Sequence, residues 1–428
     1  MDNLEQKKLK GNQEKSTWIL DNLVTIIFVV FIAFGFMVSK GVSINYFLTE
    51  LSSRIFRNSF LVLSLIIPVI AGLGLNFGIV IGAMAGQIAM ATVRYFEIGG
   101  LLGLALCFVI TLPLATLFGY FTGKLYNKTR GQEMIASLIV GFFANGIYYF
   151  LFLFVVGAII KVPANHPMIK PDNGIGVRMS VDLGNIKYSM DNILQIPFMW
   201  TILIISAAIL LLITYKYLKA KKDPSMQQNK MMFGFNLTAA IIMIAISIYA
   251  IVAKSTLMMV AKTPVVTGLF IVGLCVFTEL IMKTKLGQDF KSVGQSQHIA
   301  EISGINVDRT RIIATIMSTV LASWGQIIFL QNMGTLNTYN AHTQIGMFSV
   351  ASLLVGGAST SNANIKHAII GTILFNSMFI MSPEVGQAVF GNAILGEYFR
   401  TFMVYGVIGL ALGIYVWKAN KQAKITLE

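Results

Sequence analysis

The sequence predicts an all-α fold, a polytopic helical membrane protein with about 10–12 transmembrane segments that include broken or re-entrant helices. Composition is the first observation: of 428 residues 56% are hydrophobic and 12% charged, and the mean hydropathy is +0.74. Soluble domains carry roughly 25% charged residues. The second is that apolar runs long enough to cross a bilayer, roughly 20 residues each, recur along the whole chain.

Twelve crossings follow in order from these runs. They are predicted at 19–38, 60–77, 78–93, 99–120, 134–160, 197–215, 233–253, 265–282, 313–331, 345–357, 365–381 and 400–417. No polar loop separates the second from the third, and the tenth is short. Either could be a broken or re-entrant element that lines a cavity, because irregular backbone at membrane depth must be satisfied by protein or water.

The basic residues orient these crossings. With twelve spans, one side of the membrane holds 20 of the 32 basic residues and the other holds eleven, with Lys366 at a boundary. The richer side is cytoplasmic by the positive-inside rule. We therefore predict a multi-pass protein of the cell membrane with both termini cytoplasmic. Its parts are a cytoplasmic tail 1–18, a transmembrane domain 19–417 with an external loop 162–196 and a cytoplasmic loop 283–312, and a cytoplasmic tail 418–428.

Several function classes are disfavoured. The net charge of +14 does not indicate nucleic acid, because the charges flank the spans and form no continuous stripe. Cys107 and Cys275 fall inside predicted spans, and the four histidines have no metal-ligand spacing, so no metal is expected. Gly123 and Lys124 are followed by Leu125 where a P-loop needs Ser or Thr. The chain is predicted to be non-catalytic, to bind no cofactor and to hydrolyse no ATP itself.

A ladder of glycines runs from the end of the second predicted span into the third. Gly74, Gly78, Gly82 and Gly86 recur every four residues. This spacing is typical of a flat helix face that another backbone can approach closely. The alternative is that the glycines permit a broken helix along a conduit.

Four amide side chains interrupt the apolar runs. Asn76, Gln87, Asn145 and Gln326 would be costly against lipid, so they should face protein or water. An uncharged solute rich in hydroxyl or amide groups would suit them better than an ion. For each one, hydrogen bonding between helices is an equal alternative to contact with cargo.

The polar stretch Lys283–Arg311 is the most informative segment. Gly287, Gly294 and Gly304 divide it where helices would end. Apolar residues recur between them at helical spacing, as Phe290 with Val293 and Ile299 with Ile302. Two short amphipathic helices at the membrane surface are predicted, with exposed apolar faces that fit a protein partner, although packing against the chain's own spans is the alternative.

This stretch resembles the coupling loop of ABC-importer permeases of the ribose, simple-sugar and nucleoside type. The matching residues are Gly287, Phe290, Lys291, Val293, Gly294, Ala300, Gly304, Ile305 and Arg309. Three further stretches fit the same family, namely LNFGIVIGAMAGQIA at 75–89, EMIASLIVGFFANGI at 133–147 and SVASLLVGG at 349–357. The chain departs from the pattern where Gln295, Ser296 and Gln297 replace an Asn-Pro-like turn and Ser303 replaces an alanine.

The resemblance implies a membrane-spanning permease subunit of an ATP-driven importer for a small polar solute such as a sugar or nucleoside. It implies three partners: an ATP-binding ABC subunit that carries the ATP, a second permease subunit, identical or paralogous, and an extracytoplasmic solute-binding protein. Coupling to the ATPase would fall to the matching residues together with Ile299 and Ile302. The external loop 162–196 is expected to be irregular and to help dock the binding protein. An ion-coupled secondary transporter or a facilitative channel is the alternative.

Overall fold

The computed structural model describes residues 23–38, 43–163, 166–169, 176–222, 230–253 and 262–425, and the statements below concern these residues. The predicted tail 1–18 and the last residues of the tail 418–428 lie outside them. The described chain is all-α apart from four three-residue strands. The predicted fold class is confirmed.

Fifteen helices of the described ranges are labelled in chain order. They are α1 (Leu23–Val38), α2 (Ile44–Ser64), α3 (Ile66–Ile70), α4 (Ile79–Tyr95), α5 (Gly100–Lys128), α6 (Glu133–Phe150), α7 (Phe198–Lys222), α8 (Lys230–Val252), α9 (Val265–Ile281), α10 (Lys285–Gln295), α11 (Gln297–Ile302), α12 (Val307–Met333), α13 (Ala341–Val355), α14 (Ile365–Phe390) and α15 (Ala393–Ile425). A π-helical turn, Leu151–Val155, and a short helical turn, Val156–Ala158, extend α6.

Seven helical stretches of the described chain are long and apolar enough to cross a membrane. An eighth is the pair α9 and α10, which passes the same test but is bent by 76°. Four further apolar helices are shorter, at Leu23–Val38, Ile79–Tyr95, Ala240–Val252 and Ala341–Val355. Each of the twelve predicted crossings corresponds to one of these helices, and the tenth, α13, is short as expected.

The predicted second crossing, 60–77, is wrong in its bounds. The span runs from Ile44 to Ile70 through α2 and α3, so Arg54 and Arg57 lie inside a helix and not in an external loop. Partners within the protein make this possible, since Arg54 pairs with Glu50 at 3.2 Å and Arg57 lies over the ring of Phe329 at 5.4 Å.

The helix breaks over residues 71–78. Gly72 and Gly74 adopt φ values of 73° and 69° there, in the left-handed region that favours glycine. The helix is therefore broken at the start of the glycine ladder, and the placement of this break along a conduit stays a prediction.

The rest of the ladder packs against α12, the central helix of the bundle. A Cβ atom on Gly82 would lie 2.5 Å from the carbonyl oxygen of Thr319, and one on Gly86 would lie 2.6 Å from that of Ser323. The two helices therefore run parallel in close contact, as the packing interpretation predicted. Helices α2 and α5 also pack on α12.

The bundle has two ends, which we call proximal and distal. The proximal end carries α10 and α11, and Gly294 of α10 lies against Ile70 and Gly72. Helix α2 runs antiparallel to α12, since Ser64 accepts a hydrogen bond from Ser318 while Ser53 donates to Asn332. Ile44 and Met333 therefore lie at the opposite, distal end.

Two small antiparallel ribbons lie at the distal end. Strand β1 (Ser180–Asp182) pairs with β4 (Thr335–Asn337), and β2 (Gln195–Pro197) pairs with β3 (Lys262–Pro264). The described part of the loop 162–196 is thus held by strand pairing and by the buried side chains of Leu183 and Ile186. Most of its described residues form turns and coil, as expected of an irregular segment, but several of its side chains are buried.

Candidate functional site

The predicted amphipathic helices in the loop 283–312 are present as α10 and α11, which we call the coupling segment (Lys285–Ile302). Side chains at three junctions cap the helix starts. Thr284 accepts from the backbone N–H of Gly287, Ser296 from Ile299 and Asn306 from Arg309. Polar capping residues therefore define where these helices begin.

Two of the three glycines of the segment do a different job from the one predicted. Gly287 lies in the first turn of α10 and Gly294 one residue before its end. A Cβ atom on Gly287 would collide with Met282, and one on Gly294 with the carbonyl of Ile70. These two glycines permit close approach to the bundle, and Gly304, with φ of 81°, follows the end of α11.

The two helices bury their apolar residues differently. Phe290 and Val293 of α10 are 0% and 1% exposed, whereas Ile299 and Ile302 of α11 are 65% and 75% exposed. Ala300 is buried in a small cluster with Val293 and Val307, against which Ile305 packs. The prediction of exposed apolar faces is therefore wrong for Phe290 and Val293, which pack against the chain itself, and it holds for Ile299 and Ile302.

The basic residue of α10 is also used within the chain. The ammonium group of Lys291 donates to the carbonyl oxygen of Met282 at 3.2 Å, just beyond the last turn of α9. Basic side chains are favoured near helix C-termini, where carbonyl groups lack intrahelical partners. This contact and the hydrogen bond from Gln288 Nε2 to the same oxygen at 2.8 Å span the 76° bend between α9 and α10.

An ion-pair network joins the coupling segment to the turn between α5 and α6. The guanidinium of Arg130 bonds Asp308 at 2.7 Å and Glu301 of α11 at 3.1 Å. The hydrogen bond to Asp308, followed by that to Glu301, raises the pKa of Arg130 above its ordinary value despite slight desolvation. All three side chains are about half exposed, so the network positions α11 more than it stabilises the fold.

A second pair lies buried beneath it. Arg311 is 0% exposed and its guanidinium donates to Glu133 at 2.5 Å and to the carbonyl of Tyr126 at 3.1 Å. Removing one partner of such a pair leaves an uncompensated buried charge. Sequence reasoning missed this pair because 178 residues separate its members. The sequence signal that could have indicated the pair was the acidic residue Glu133 at the start of an apolar span.

The four predicted amides have different surroundings. Asn76 is 2% exposed, and its Oδ1 accepts from the Tyr126 hydroxyl at 2.8 Å and from the N–H of Gly78 at 3.0 Å, so it holds the helix break. Gln326 is fully buried beside Gly86, and neither of its amide atoms has a partner among the described residues. Asn76 and Gln326 are therefore not brought together.

Gln87 and Asn145 converge with residues that the sequence did not single out. Gln87 donates to the carbonyl of Asn337 at 3.1 Å and accepts from the Tyr148 hydroxyl at 2.9 Å. Oδ1 of Asn145 lies 2.6 Å from Nε2 of His342. Only the amides were visible as interruptions of apolar runs, since tyrosines at membrane depth are common and His342, the second residue of α13, lies before the predicted span 345–357.

No three His, Cys, Asp or Glu side chains lie close enough to hold a metal ion in the described ranges. The expectation that the chain binds no metal and no cofactor stays a prediction.

A bundle of spanning helices with a bent surface segment and polar side chains between helices is the architecture of a polytopic helical membrane protein. The family described as "Branched-chain amino acid transport system / permease component" matches residues 175–412. That is more than half of the chain, which therefore belongs to this family.

Curated relatives are transport proteins as well. The chain is 30% identical over 90 residues to "Nucleoside ABC transporter permease protein NupB" of Lactococcus lactis, covering 21% of this chain and 25% of that protein. It is 25% identical over 143 residues to "Xylose transport system permease protein XylH" of Haemophilus influenzae, covering 33% and 36%. It is 30% identical over 162 residues to "Probable ABC transporter permease protein YphD" of Escherichia coli, covering 38% and 47%.

The chain thus spans between a quarter and about half of the length of these relatives. No solved structure gives a significant match.

Proposed function

We propose that this chain is the non-catalytic, membrane-spanning permease subunit of an ATP-driven importer for a small polar solute such as a sugar or nucleoside. ATP binds and is hydrolysed on a separate ABC subunit. A second permease copy or paralogue completes the pathway, and an extracytoplasmic binding protein delivers the solute. The proximal end, which carries the coupling segment, lies on the cytoplasmic side of the cell membrane.

One observation carries this proposal: α11 presents two large apolar side chains on a polar surface. Ile299 and Ile302 are mostly exposed, while the neighbouring Ala300 is 1% exposed and fixes the helix to the bundle. An exposed apolar pair on a rigid short helix fits a groove on a protein partner. The matching family and the names of two relatives, which are ABC permeases, supply the class of partner.

Contacts of the coupling segment with the bundle connect it mechanically to the spans. Glu301 is tied through Arg130 to the start of α6, and Gly294 of α10 lies against the break between α3 and α4. A displacement of the coupling segment by the ATPase is therefore transmitted to two spans at once. Such a switch needs two arrangements that the partner binds with different affinity.

The ATPase partnership is tested by co-purification from cells that express all subunits. Replacing Ile299 and Ile302 with Asp should abolish recovery of the ATPase with the tagged permease while membrane levels of the permease stay unchanged. Gln295→Asp is the control for an added carboxylate, since it introduces one negative charge at an exposed position of the same segment. Normal recovery and solute-stimulated ATPase activity in the double variant would refute the coupling role.

The solute class is tested by uptake into vesicles of the assembled complex. Xylose and a pyrimidine nucleoside, uridine, are the probes suggested by the relatives, and leucine is the competitor suggested by the family description. Uptake of leucine alone would refute the sugar or nucleoside assignment.

A further inference from the structure

The backbone after α12 turns back into the bundle. The carbonyl of Asn337 accepts a hydrogen bond from Gln87, and the adjacent Gly86 lies against Ser323 and Gln326. Gln326 precedes the end of α12 by seven residues, which is about 10 Å along the helix axis. Asn337 therefore lies well inside the distal end, and α13 begins from this depth.

Residues 177–182, within the described part of the loop 162–196, run beside it. Asp182, whose carbonyl accepts from Arg94 near the end of α4, lies opposite Thr335, while Ser180 lies opposite Asn337. The ribbon formed by β1 and β4 thus descends from the distal end to the depth of Gln87. Further in, the Tyr339 hydroxyl donates to the carbonyl of Val177 at 2.7 Å.

One face of this ribbon is polar and uncovered. Val181 and Leu336 are 1% and 0% exposed, whereas the flanking residues of both strands are exposed. These flanking residues are Ser180, Asp182, Thr335 and Asn337. Extended backbone and polar side chains persist at membrane depth only where they line water or meet protein. No segment of the described chain covers this face, so lipid is excluded and we assign the face to a water-filled vestibule.

The inner end of the ribbon meets the cluster around His342. The His342 ring is 0% exposed and lies 4.6 Å from the Tyr148 ring, centroid to centroid, and its Nδ1 has no partner among the described residues. Its Nε2 contacts Asn145, and the Tyr149 hydroxyl donates to the carbonyl of Tyr339 at 2.8 Å. At this point in the bundle, amide, imidazole and hydroxyl groups therefore lie next to aromatic rings.

We infer that Asn145, Tyr148 and His342, together with Ser180 and Asn337 at the inner end of the ribbon, form a distal subsite for a neutral, ring-shaped solute with several hydroxyl groups. This inference rests on the proposed transport function. Hydroxyl groups of the solute replace the Asn145–His342 and Tyr148–Gln87 hydrogen bonds, and an aromatic face covers its ring.

The charges near the subsite fit a neutral solute. Asp182, nearest the mouth, pairs with Lys187 at 3.3 Å, and Arg178 donates to the carbonyl of Ile169 at 2.6 Å. Hydrogen bonds from the N–H of Gly184 and from Lys187 lower the pKa of Asp182. These charged side chains are paired or hydrogen-bonded within the protein. The groups at the inner end of the ribbon are uncharged amides, hydroxyls and an imidazole.

Cysteine accessibility tests the vestibule without knowledge of the solute. In a Cys275→Ala background, with Cys107 buried, Ser180→Cys and Asn337→Cys are treated with a membrane-impermeant thiol reagent in the assembled transporter. Val272→Cys is the control, because Val272 is 57% exposed on the apolar helix α9. Both ribbon cysteines should react at least about tenfold faster than the control, because a thiolate forms in water and not in lipid. A ribbon cysteine as unreactive as the control would overturn the inference.

Transport kinetics test the solute contact. For whichever of xylose or uridine the wild-type complex takes up, Asn145→Ala should raise KM about tenfold, the loss expected for one hydrogen bond to the solute. Asn376→Ala is the matched control, since Asn376 accepts from Asn58 at 2.9 Å in a similar pair away from α6. Equal KM values for both variants would refute the subsite. Uptake of neither probe would refute the proposed solute class, while the cysteine measurement would still decide the vestibule.

Discussion

The two helices of the coupling segment have the same sequence pattern and opposite surroundings. In α10 the apolar pair, Phe290 and Val293, is buried against the bundle. In α11 the equivalent pair, Ile299 and Ile302, is exposed. A pair of apolar residues three apart therefore shows that a short helix has an apolar face, but not whether the chain itself or a partner covers it. Within this segment α10 packs against the bundle and forms the base of the segment. Helix α11 forms the surface that a partner protein can contact.

Phe290→Ala should produce the largest loss of stability if α10 is the base. Truncating a fully buried phenylalanine costs about 3–5 kcal/mol. The apparent melting temperature of the detergent-solubilised protein should fall by several degrees, and ATPase recovery should fall with it. An unchanged melting temperature would mean that α10 is not docked as described.

Gly294→Ala should have the next largest effect. The added methyl group has no room beside the carbonyl of Ile70, and overpacking of this kind costs about 1–3 kcal/mol. Gly146→Ala is the matched control, because nothing lies within 4 Å of a Cβ atom there. Equal melting temperatures for Gly294→Ala and Gly146→Ala would show that Gly294 is not in close contact with the bundle.

Ser296→Ala should separate the two helices. Its side chain caps α11 through the N–H of Ile299, and losing an N-cap costs about 1 kcal/mol. Hydrogen exchange should accelerate over 297–302 and stay unchanged over 285–295. Equal acceleration in both ranges would show that α10 and α11 unfold as one unit.

Ile302→Ser should have the smallest effect on stability. An exposed side chain contributes within about 0.5 kcal/mol of zero, so the melting temperature should not move while recovery of the ATPase decreases. A clear fall in melting temperature would place Ile302 in the base with Phe290.

Much of the fold could be predicted from the sequence. Apolar run length indicated twelve helices, and periodicity indicated α10 and α11, because both signals are local. The start of α2 was not predictable in this way, since Arg54 and Arg57 are accommodated by Glu50 and Phe329 from other turns and helices.

The candidate site was less predictable. The amides Gln87 and Asn145 stood out as polar interruptions, whereas His342 and the ribbon depend on contacts across the bundle, such as that of His342 with Asn145, 197 residues apart. Strands of three residues are too short to show the alternation that identifies a strand.

The buried contact of Arg311 with Glu133 also bears on how the protein is made. Chains are synthesised from the N-terminus, so Glu133 reaches the membrane 178 residues before its partner. Until Arg311 emerges from the ribosome, the carboxylate must stay hydrated at the membrane surface. The buried pair at the proximal end therefore forms only after the start of α12 has been synthesised.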